Sequence, residues 1–295
     1  MMTNVTASFL ILLVACAAFS TPGAVAAPLK IVAAETVYGA IAERMAGDHA
    51  EVVSLLTNPD QDPHDFEPGA NVAKILAGAD IVIENGAGYD AWVDKLLAAS
   101  PSKTRRVLNI AALTHRALGQ NPHLWYNPRS ISALAAALTV ELETADPTNA
   151  ASFEKNRDKV MNDIFPLLRK IGALQDAYRG VPIAATEPVF DEMANAIGLK
   201  VMEDRFALAV MNGSEPRASD IAAFEDDLKQ RRVAAMIFNT QTQSPVISRL
   251  RDLAGENKIP VIGVSESMPT GATYESWMLG ILDQLEPALQ HAPPH

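Results

Sequence analysis

The stretch "DPTNAASFEKNRDKVMNDIFPLLRKIGALQDAYRG", residues 146–180, predicts one long helix in the middle of the chain. Asp146 and Pro147 suit a helix start, whereas Gly180 and Pro182 suit a stop. Apolar residues recur between them with the spacing of one helix face, at Phe153, Val160, Ile164, Leu167, Leu168, Ile171, Leu174 and Tyr178. Some thirty residues span roughly 45 Å. We therefore expect a helix that joins two lobes; the core helix of one large domain is the alternative.

Short β-rich runs lie on both sides of this helix and alternate with helical patterns, which is typical of α/β layering. The predicted strands are residues 29–35, 51–56, 79–86 and 106–110 before the helix, and 181–186, 234–241 and 259–266 after it. The expected fold class is α/β, with two lobes built on mostly parallel sheets and joined by one long rigid helix. The expected division is a signal peptide at 1–26, an N-terminal lobe at 27–145, the linking helix at 146–179 and a C-terminal lobe at 180–295.

Composition limits what the chain can bind. With 295 residues and 48% apolar content it can bury one large core or two lobes. Its 24 basic and 35 acidic residues give a formal net charge of −11, which disfavours nucleic acid as a partner. We expect a monomer.

The N-terminus has the pattern of an export signal. The apolar run "FLILLVACAAF", residues 9–19, is too short to span a membrane, and "AVA" at 24–26 offers small residues for cleavage. The alternative is lipidation, because "LVAC" at 13–16 resembles a lipobox that would anchor the protein through Cys16. Both interpretations place the protein outside the cytoplasm, and we expect the periplasm. Since Cys16 is the only cysteine, cleavage after residue 26 leaves neither a disulfide nor a thiolate metal site.

Four polar residues follow predicted strands. His64 and His123 lie on loops of the first half, each after a proline, in "NPDQDPHDFEP" (58–68) and "NPHLWYNP" (121–128). Glu187 and Glu266 directly follow strands of the second half. In open α/β sheets, ligands bind outside the carboxyl ends of the strands. These four side chains should therefore face one another across a cleft between the lobes.

Two imidazoles and two carboxylates form a donor set for a first-row divalent cation. The two carboxylates would neutralise the ion, so that it can be buried. Four protein ligands leave no obligatory open position for water, which indicates capture of the ion rather than catalysis. We therefore predict a protein that is not an enzyme and that holds one divalent ion.

Each of the four candidate ligands could instead have a purely structural role. A histidine on a loop is more often a surface or hydrogen-bonding residue than a ligand. Glu187 could cap the helix that begins near Pro188, and Glu266 could be a solvated loop residue. His49, His115, His291 and His295 lack the Pro-His context, and Trp125 and Tyr126 are interpreted as packing residues that could shield the site.

A family resemblance covers nearly all of the mature chain. The motifs that carry it are "DPHDFEP" (62–68), "NPHLWYNP" (121–128), "DPTNAASFEKN" (146–156), "ATEPVFDEMANAIGL" (185–199) and "VSESMPTGATYESWM" (264–278). They resemble the ABC-transporter solute-binding proteins for zinc and manganese. The resemblance implies a Zn²⁺ or Mn²⁺ ion buried between two lobes as the transported ligand, and delivery to an ABC permease in the inner membrane. By position, it assigns the metal to His64, His123, Glu187 and Glu266.

The sequence departs from the family pattern at three points. Asn121 stands where the family usually has Asp, which removes a possible charge beside His123. Glu266 stands where the fourth ligand is usually Asp, and no histidine-rich loop lies between His64 and His115. Glu187, in place of a third His, resembles the manganese branch. Zinc nevertheless binds nearly any such site more tightly than manganese, so the transported ion stays open between the two.

Two other functions compete with capture of an ion. A secreted metal-dependent hydrolase could use Glu187 or Glu266 as a general base, but the sequence has neither a His-Glu-x-x-His helix nor a nucleophile elbow. A binding protein for haem or a siderophore on the same scaffold would need a wide aromatic or Arg-lined cleft. Only 6% of the residues are aromatic, which gives little support to such a cleft.

Overall fold

The computed structural model describes residues 28–59, 66–242 and 244–290. The first half forms a parallel four-stranded sheet with the strand order β2-β1-β3-β4. Its strands are β1 Leu29–Glu35, β2 Ala50–Leu56, β3 Ile81–Glu84 and β4 Arg106–Asn109. The predicted signal peptide, Cys16, His64, His291 and His295 lie outside the described residues.

The second half repeats this arrangement in a second parallel sheet with the order β6-β5-β7-β8. Its strands are β5 Pro182–Ala185, β6 Lys200–Met202, β7 Met236–Asn239 and β8 Val261–Val264. All seven predicted strands are present, but they are shorter than predicted at most ends. Strand β6 was not predicted, because its three residues are exposed or half-buried and give no clear period.

Helices cover both faces of the two sheets, so the predicted α/β class with two lobes is confirmed. In the first half they are α1 Thr36–Ala46, α2 Ala70–Ala77, α3 Ala91–Ala99, α4 Ile110–Leu113 and α5 Pro128–Ala145. The linking helix is α6 Ala150–Tyr178. The second half contains α7 Asp191–Ile197, α8 Asp204–Met211, α9 Ala218–Lys229, α10 Pro245–Glu256 and α11 Tyr274–Leu289.

The linking helix α6 runs unbroken for 29 residues, which corresponds to about 44 Å. A short 3₁₀ turn at Pro147–Asn149 precedes it, so the helix begins later than Asp146-Pro147 suggests. Six of the eight predicted face residues are buried, namely Phe153, Val160, Ile164, Leu167, Ile171 and Leu174. The prediction is wrong for Leu168, which is 37% exposed because it lies at the edge of the apolar stripe.

One apolar core connects the two halves. It contains Ile31 and Ile83 from the first sheet, Ile183 and Ile237 from the second, and the buried face of α6. The opposite faces of the sheets pack into two smaller clusters under their own helices. The two lobes therefore share a core on their inner faces and have separate cores on their outer faces.

Three of the four polar residues predicted to bind the metal lie in the described part of the chain, and they follow strands. Glu187 comes two residues after β5, and Glu266 comes two residues after β8. His123 lies in the segment between α4 and α5 that follows β4. Among the described residues, no helix has the length and apolar character needed to cross a membrane.

Pro166 lies inside α6 and is exposed to solvent. Proline cannot donate the helical hydrogen bond to the carbonyl four residues earlier, and it tends to kink the helix. We expect Pro166→Ala to raise the free energy of unfolding by about 1 kcal/mol or more, because no buried contact is lost and one helical hydrogen bond is gained. Denaturant unfolding of both proteins in chelator measures this, and a lower midpoint for the variant would contradict it.

Candidate metal centre

Glu187 and Glu266 are joined by one buried amide. Asn239, the last residue of β7, is 1% exposed, and its Nδ2 donates to Glu187 Oε2 at 2.9 Å and to Glu266 Oε1 at 2.8 Å. Asn239 Oδ1 accepts from the backbone N–H of Gln241 at 3.0 Å, which fixes the orientation of the amide. Glu187 and Glu266 are 5% and 4% exposed. The structure therefore brings two carboxylates together in an interior position.

His123 reaches the same place from the first half of the chain. Its side chain is fully buried, and Nε2 lies 3.5 Å from Glu266 Oε2. On the other side of the ring, Nδ1 lies 2.8 Å from Asn121 Oδ1. The Tyr89 hydroxyl also donates to Glu266 Oε2, at 3.1 Å. Glu266 is thus approached by two side chains of the opposite lobe.

Aromatic rings enclose His123. Tyr89 and Trp125 pack edge-on against the imidazole, with ring centroids 6.2 and 5.5 Å away. The Tyr126 hydroxyl donates to the Ser265 carbonyl at 2.8 Å, next to Glu266. Trp125 and Tyr126 are both fully buried, in line with the packing role predicted for them. They keep water away from one wall of the cleft.

The structure excludes both simpler interpretations of the glutamates. Glu187 occupies the N-cap position of the 3₁₀ turn Pro188–Phe190, but its side chain makes no capping hydrogen bond. Glu266 is buried rather than solvated. In contrast, His115 is exposed, and His49 packs edge-on against Phe153, so neither of these histidines takes part in the cleft.

Burial changes the electrostatics of the cleft. The pKa of Glu187 is raised, first by its removal from water and then by the neighbouring Glu266; hydrogen bonds from Asn239 and Thr242, and the nearby His123, act in the opposite direction. Within the described residues, no Lys or Arg forms an ion pair with Glu187. Two buried carboxylates close to each other favour a cation between them.

The side chains of His123, Glu187 and Glu266 are not close enough together to form a closed coordination shell. Among the residues that the structure describes, no group of three His, Cys, Asp or Glu side chains is close enough to hold a metal ion. His123 contacts Glu266 directly, whereas Glu187 is linked to Glu266 through Asn239. The fourth candidate, His64, lies outside the described residues.

Sequence reasoning missed Tyr89 and Asn239. Asn239 is the last residue of a strand, which is the signal that could have found it. Tyr89 follows a tight turn after β3, in which Gly86 has a φ of 74° and leaves no space for a Cβ beside Asn109. Asp90 accepts from the backbone N–H groups of Asn85 and Gly86, at 2.6 and 2.8 Å, and so fixes this turn.

A second group of carboxylates is buried behind this turn, in the first lobe. Glu35 and Glu84 end strands β1 and β3, and both lie next to Asp90. Burial is the main cause that raises the pKa of Glu84 to about 7, and it raises the pKa of Glu35 well above its ordinary value. Asp90 raises both further. These groups hold protons at a pH where exposed carboxyls do not.

The family described as zinc-uptake complex component A, periplasmic, matches residues 31–288 of the chain. The chain belongs to this family. The manganese ABC transporter substrate-binding lipoprotein PsaA of Streptococcus mitis is a relative that is 23% identical to this chain, and the alignment covers 95% of both chains. The iron ABC transporter substrate-binding lipoprotein MtsA of Streptococcus pyogenes serotype M1 is 27% identical and is aligned over 94% of both chains.

The fold of the zinc-uptake family member is similar to that of solved structures. The periplasmic zinc-binding protein TroA from Treponema pallidum superposes with a TM-score of 0.75, covering 89% of this chain and 99% of that chain, at 18% identity. At that identity, the likeness establishes the two-lobed fold. The names of these three proteins mention manganese, iron and zinc, so membership of the family leaves the ion open.

Proposed function

We propose that the protein captures one divalent transition-metal ion outside the cytoplasm and delivers it to an ABC permease in the inner membrane. His123, Glu187 and Glu266 supply three ligands, and His64 supplies the fourth. The single observation that carries this proposal is the buried cluster in which Asn239 joins the two carboxylates and His123 Nε2 lies beside one of them. Family membership and the names of the relatives support it.

The charges of the cluster suit a divalent cation as cargo. Two ionised carboxylates balance a 2+ ion, so the filled cleft carries no net charge away from water. Imidazole nitrogen with carboxylate oxygen suits Zn²⁺ and Mn²⁺, and zinc binds such a site more tightly. The ion displaces the Asn239 amide from between the two carboxylates. The transported ion is therefore Zn²⁺ or Mn²⁺, and availability rather than affinity decides between them.

Calorimetry on dialysed protein tests this function. We expect one Zn²⁺ per chain, weaker binding of Mn²⁺ at the same site, and loss of both in His123→Ala. Wild-type protein that binds neither ion, or a site that survives His123→Ala, would contradict the proposal. A hydrolase with a two-histidine metal would show turnover of ester or peptide substrates in the zinc-loaded protein, and a chelate-binding protein would bind haem but not the free ion.

The location and the division of the chain belong to the same proposal. We propose that residues 27–145 and 180–295 form the two lobes and that 146–179 link them. Residues 1–26 direct export, to the periplasm as a soluble protein or to a lipid anchor on Cys16. The relatives named above from streptococci are called lipoproteins. Mass spectrometry of the mature N-terminus distinguishes the two, since cleavage after Ala26 leaves Ala27 first and lipidation leaves a modified Cys16.

A further inference from the structure

Asn121 contacts both His123 and the opposite lobe. Its Oδ1 accepts from the backbone N–H of His123 at 3.0 Å and lies 2.8 Å from the ring Nδ1. Its Nδ2 donates to the carbonyl oxygen of Pro188 at 2.7 Å. Pro188 directly follows Glu187 in the chain. We propose that Asn121 is a positioning residue that sets the tautomer of His123 and ties this imidazole to the backbone beside Glu187.

The carbonyl of Pro188 determines which way the amide of Asn121 points. A carbonyl oxygen can only accept, so the amide must direct its NH₂ group to Pro188 and its oxygen to His123. The backbone N–H of His123, which can only donate, requires the same orientation. Because the ring Nδ1 then faces an acceptor, it must carry the proton. In the neutral imidazole, which is the form that binds a metal ion, Nε2 therefore carries the lone pair, and Nε2 is the nitrogen that points to Glu266.

An aspartate at position 121 could do only half of this. Its carboxylate would accept from Nδ1 of His123, but it would place a second acceptor against the carbonyl of Pro188, where a donor is needed. It would also add a third negative charge next to Glu187 and Glu266. The neutral amide thus keeps the balance of two carboxylates against a divalent ion. Compared with the Asp that the family usually has at this position, Asn121 therefore lacks a charge but gains a contact between the lobes.

The contact made by Asn121 is one of several that join its segment to the second lobe. The carbonyl of Trp125 accepts from the Tyr274 hydroxyl at 3.0 Å. Nearby, Nδ2 of Asn127 and a guanidinium nitrogen of Arg116 both reach Glu192 Oε2, at 3.1 and 2.6 Å. The side chain of Asn121 links this network to the imidazole by a hydrogen bond. It therefore couples the position of His123 to that of Glu187.

The decisive measurement is the tautomer of His123 in metal-free protein, read from long-range ¹H–¹⁵N spectra of histidine-labelled protein and assigned with His123→Gln. We expect the Nδ1–H tautomer in wild type and in Asn121→Asp, and a shift toward the Nε2–H tautomer in Asn121→Ala. The second readout is zinc affinity, and only this readout rests on the proposed function. Asn121→Ala should weaken zinc binding 10–100-fold, the usual loss when the partner of a metal-bound imidazole is removed.

Asn127→Ala is the matched control, since it breaks a neighbouring amide contact between the lobes without touching His123. It should leave the tautomer unchanged and zinc affinity within about 3-fold of wild type. An unchanged Nδ1–H tautomer in Asn121→Ala would overturn the inference, and so would an unchanged zinc affinity of this variant if wild type binds zinc. If that variant does not fold, Asn121→Asp decides, because an unfolding midpoint equal to wild type in chelator would rule out the tie to Pro188. A shifted tautomer in a protein that never binds zinc would support the inference and reject the proposed function.

Discussion

Glu187→Gln is expected to remove most of the stabilisation that zinc gives to the protein without lowering its stability in chelator. At a free zinc concentration a thousand times the dissociation constant, binding stabilises wild type by about 4 kcal/mol. The variant should lose most of this, because a neutral amide replaces a charged ligand. Thermal unfolding of both proteins, in chelator and with excess zinc, measures the two effects together.

The behaviour in chelator follows from the buried position of Glu187. Removal from water and the nearby Glu266 raise its pKa, which means that its ionised form is costly in the folded protein. A glutamine keeps an oxygen that can accept from Asn239 and removes one of two close charges. We therefore expect the metal-free variant to be at least as stable as wild type at pH 8.

Glu192→Gln provides the matched control. Glu192 is also a buried glutamate of the second lobe, but it pairs with Arg116 at 2.6 Å rather than facing the cleft. Its variant should lose stability equally with and without zinc, since a buried ion pair is broken in both conditions. A Glu187→Gln protein that gains as much from zinc as wild type would remove Glu187 from the site.

The metal-free protein is expected to become less stable as the pH rises from about 4.5 to 7. The pKa of Glu84 is 4.5 as an ordinary value and about 7 in the folded protein, mainly because the side chain is buried. Between these values the folded state binds more protons than the unfolded state, so the free energy of unfolding decreases with pH. One such proton contributes at most about 1.4 kcal/mol per pH unit. The raised pKa of Glu35 adds a contribution of the same sign.

Glu84→Gln isolates this contribution. The glutamine resembles the protonated acid and keeps an oxygen for Asn109 Nδ2, which donates to Glu84 at 2.8 Å. We expect the variant to be more stable than wild type at pH 7.5 and to show a shallower decline between pH 5 and 7.5, measured by denaturant unfolding in chelator. Glu256→Gln, at an exposed position of α10, should keep the wild-type slope. Equal slopes in wild type and Glu84→Gln would show that Glu84 does not titrate in this range.

The spacing of apolar residues predicted those helices and strands that bury one face along many residues. The linking helix shows six buried positions on one face, and the strands of both sheets were recognised from their apolar runs. Strand β6 was missed because three residues, with Lys200 exposed, carry no such pattern. The ends of strands were also overestimated, since hydrophobicity does not reveal where a residue such as Gly86 turns the chain away from the sheet.

The candidate site could be predicted from the sequence where a residue type that binds metal ions comes after a predicted strand. His123, Glu187 and Glu266 were identified in this way, and the structure places all three in one cleft. Asn239 and Tyr89 were not, because amides and phenols have many structural roles and only their contacts distinguish them. The pairing of Asn121 with Pro188 joins residues 67 positions apart and could not be read from either segment alone.

The common core of the two lobes determines when the chain can finish folding. Helix α11, the last of the described elements, packs against α1 and α6, and Glu275 at its start pairs with Arg44 of α1 at 3.0 Å. The sides of α1 and α6 that α11 covers therefore stay open until nearly the whole chain has been synthesised. During that interval apolar side chains on these sides are accessible to other chains, and such surfaces promote aggregation. We therefore expect the chain to fold without aggregating only if α11 packs quickly or if these sides are protected until it does.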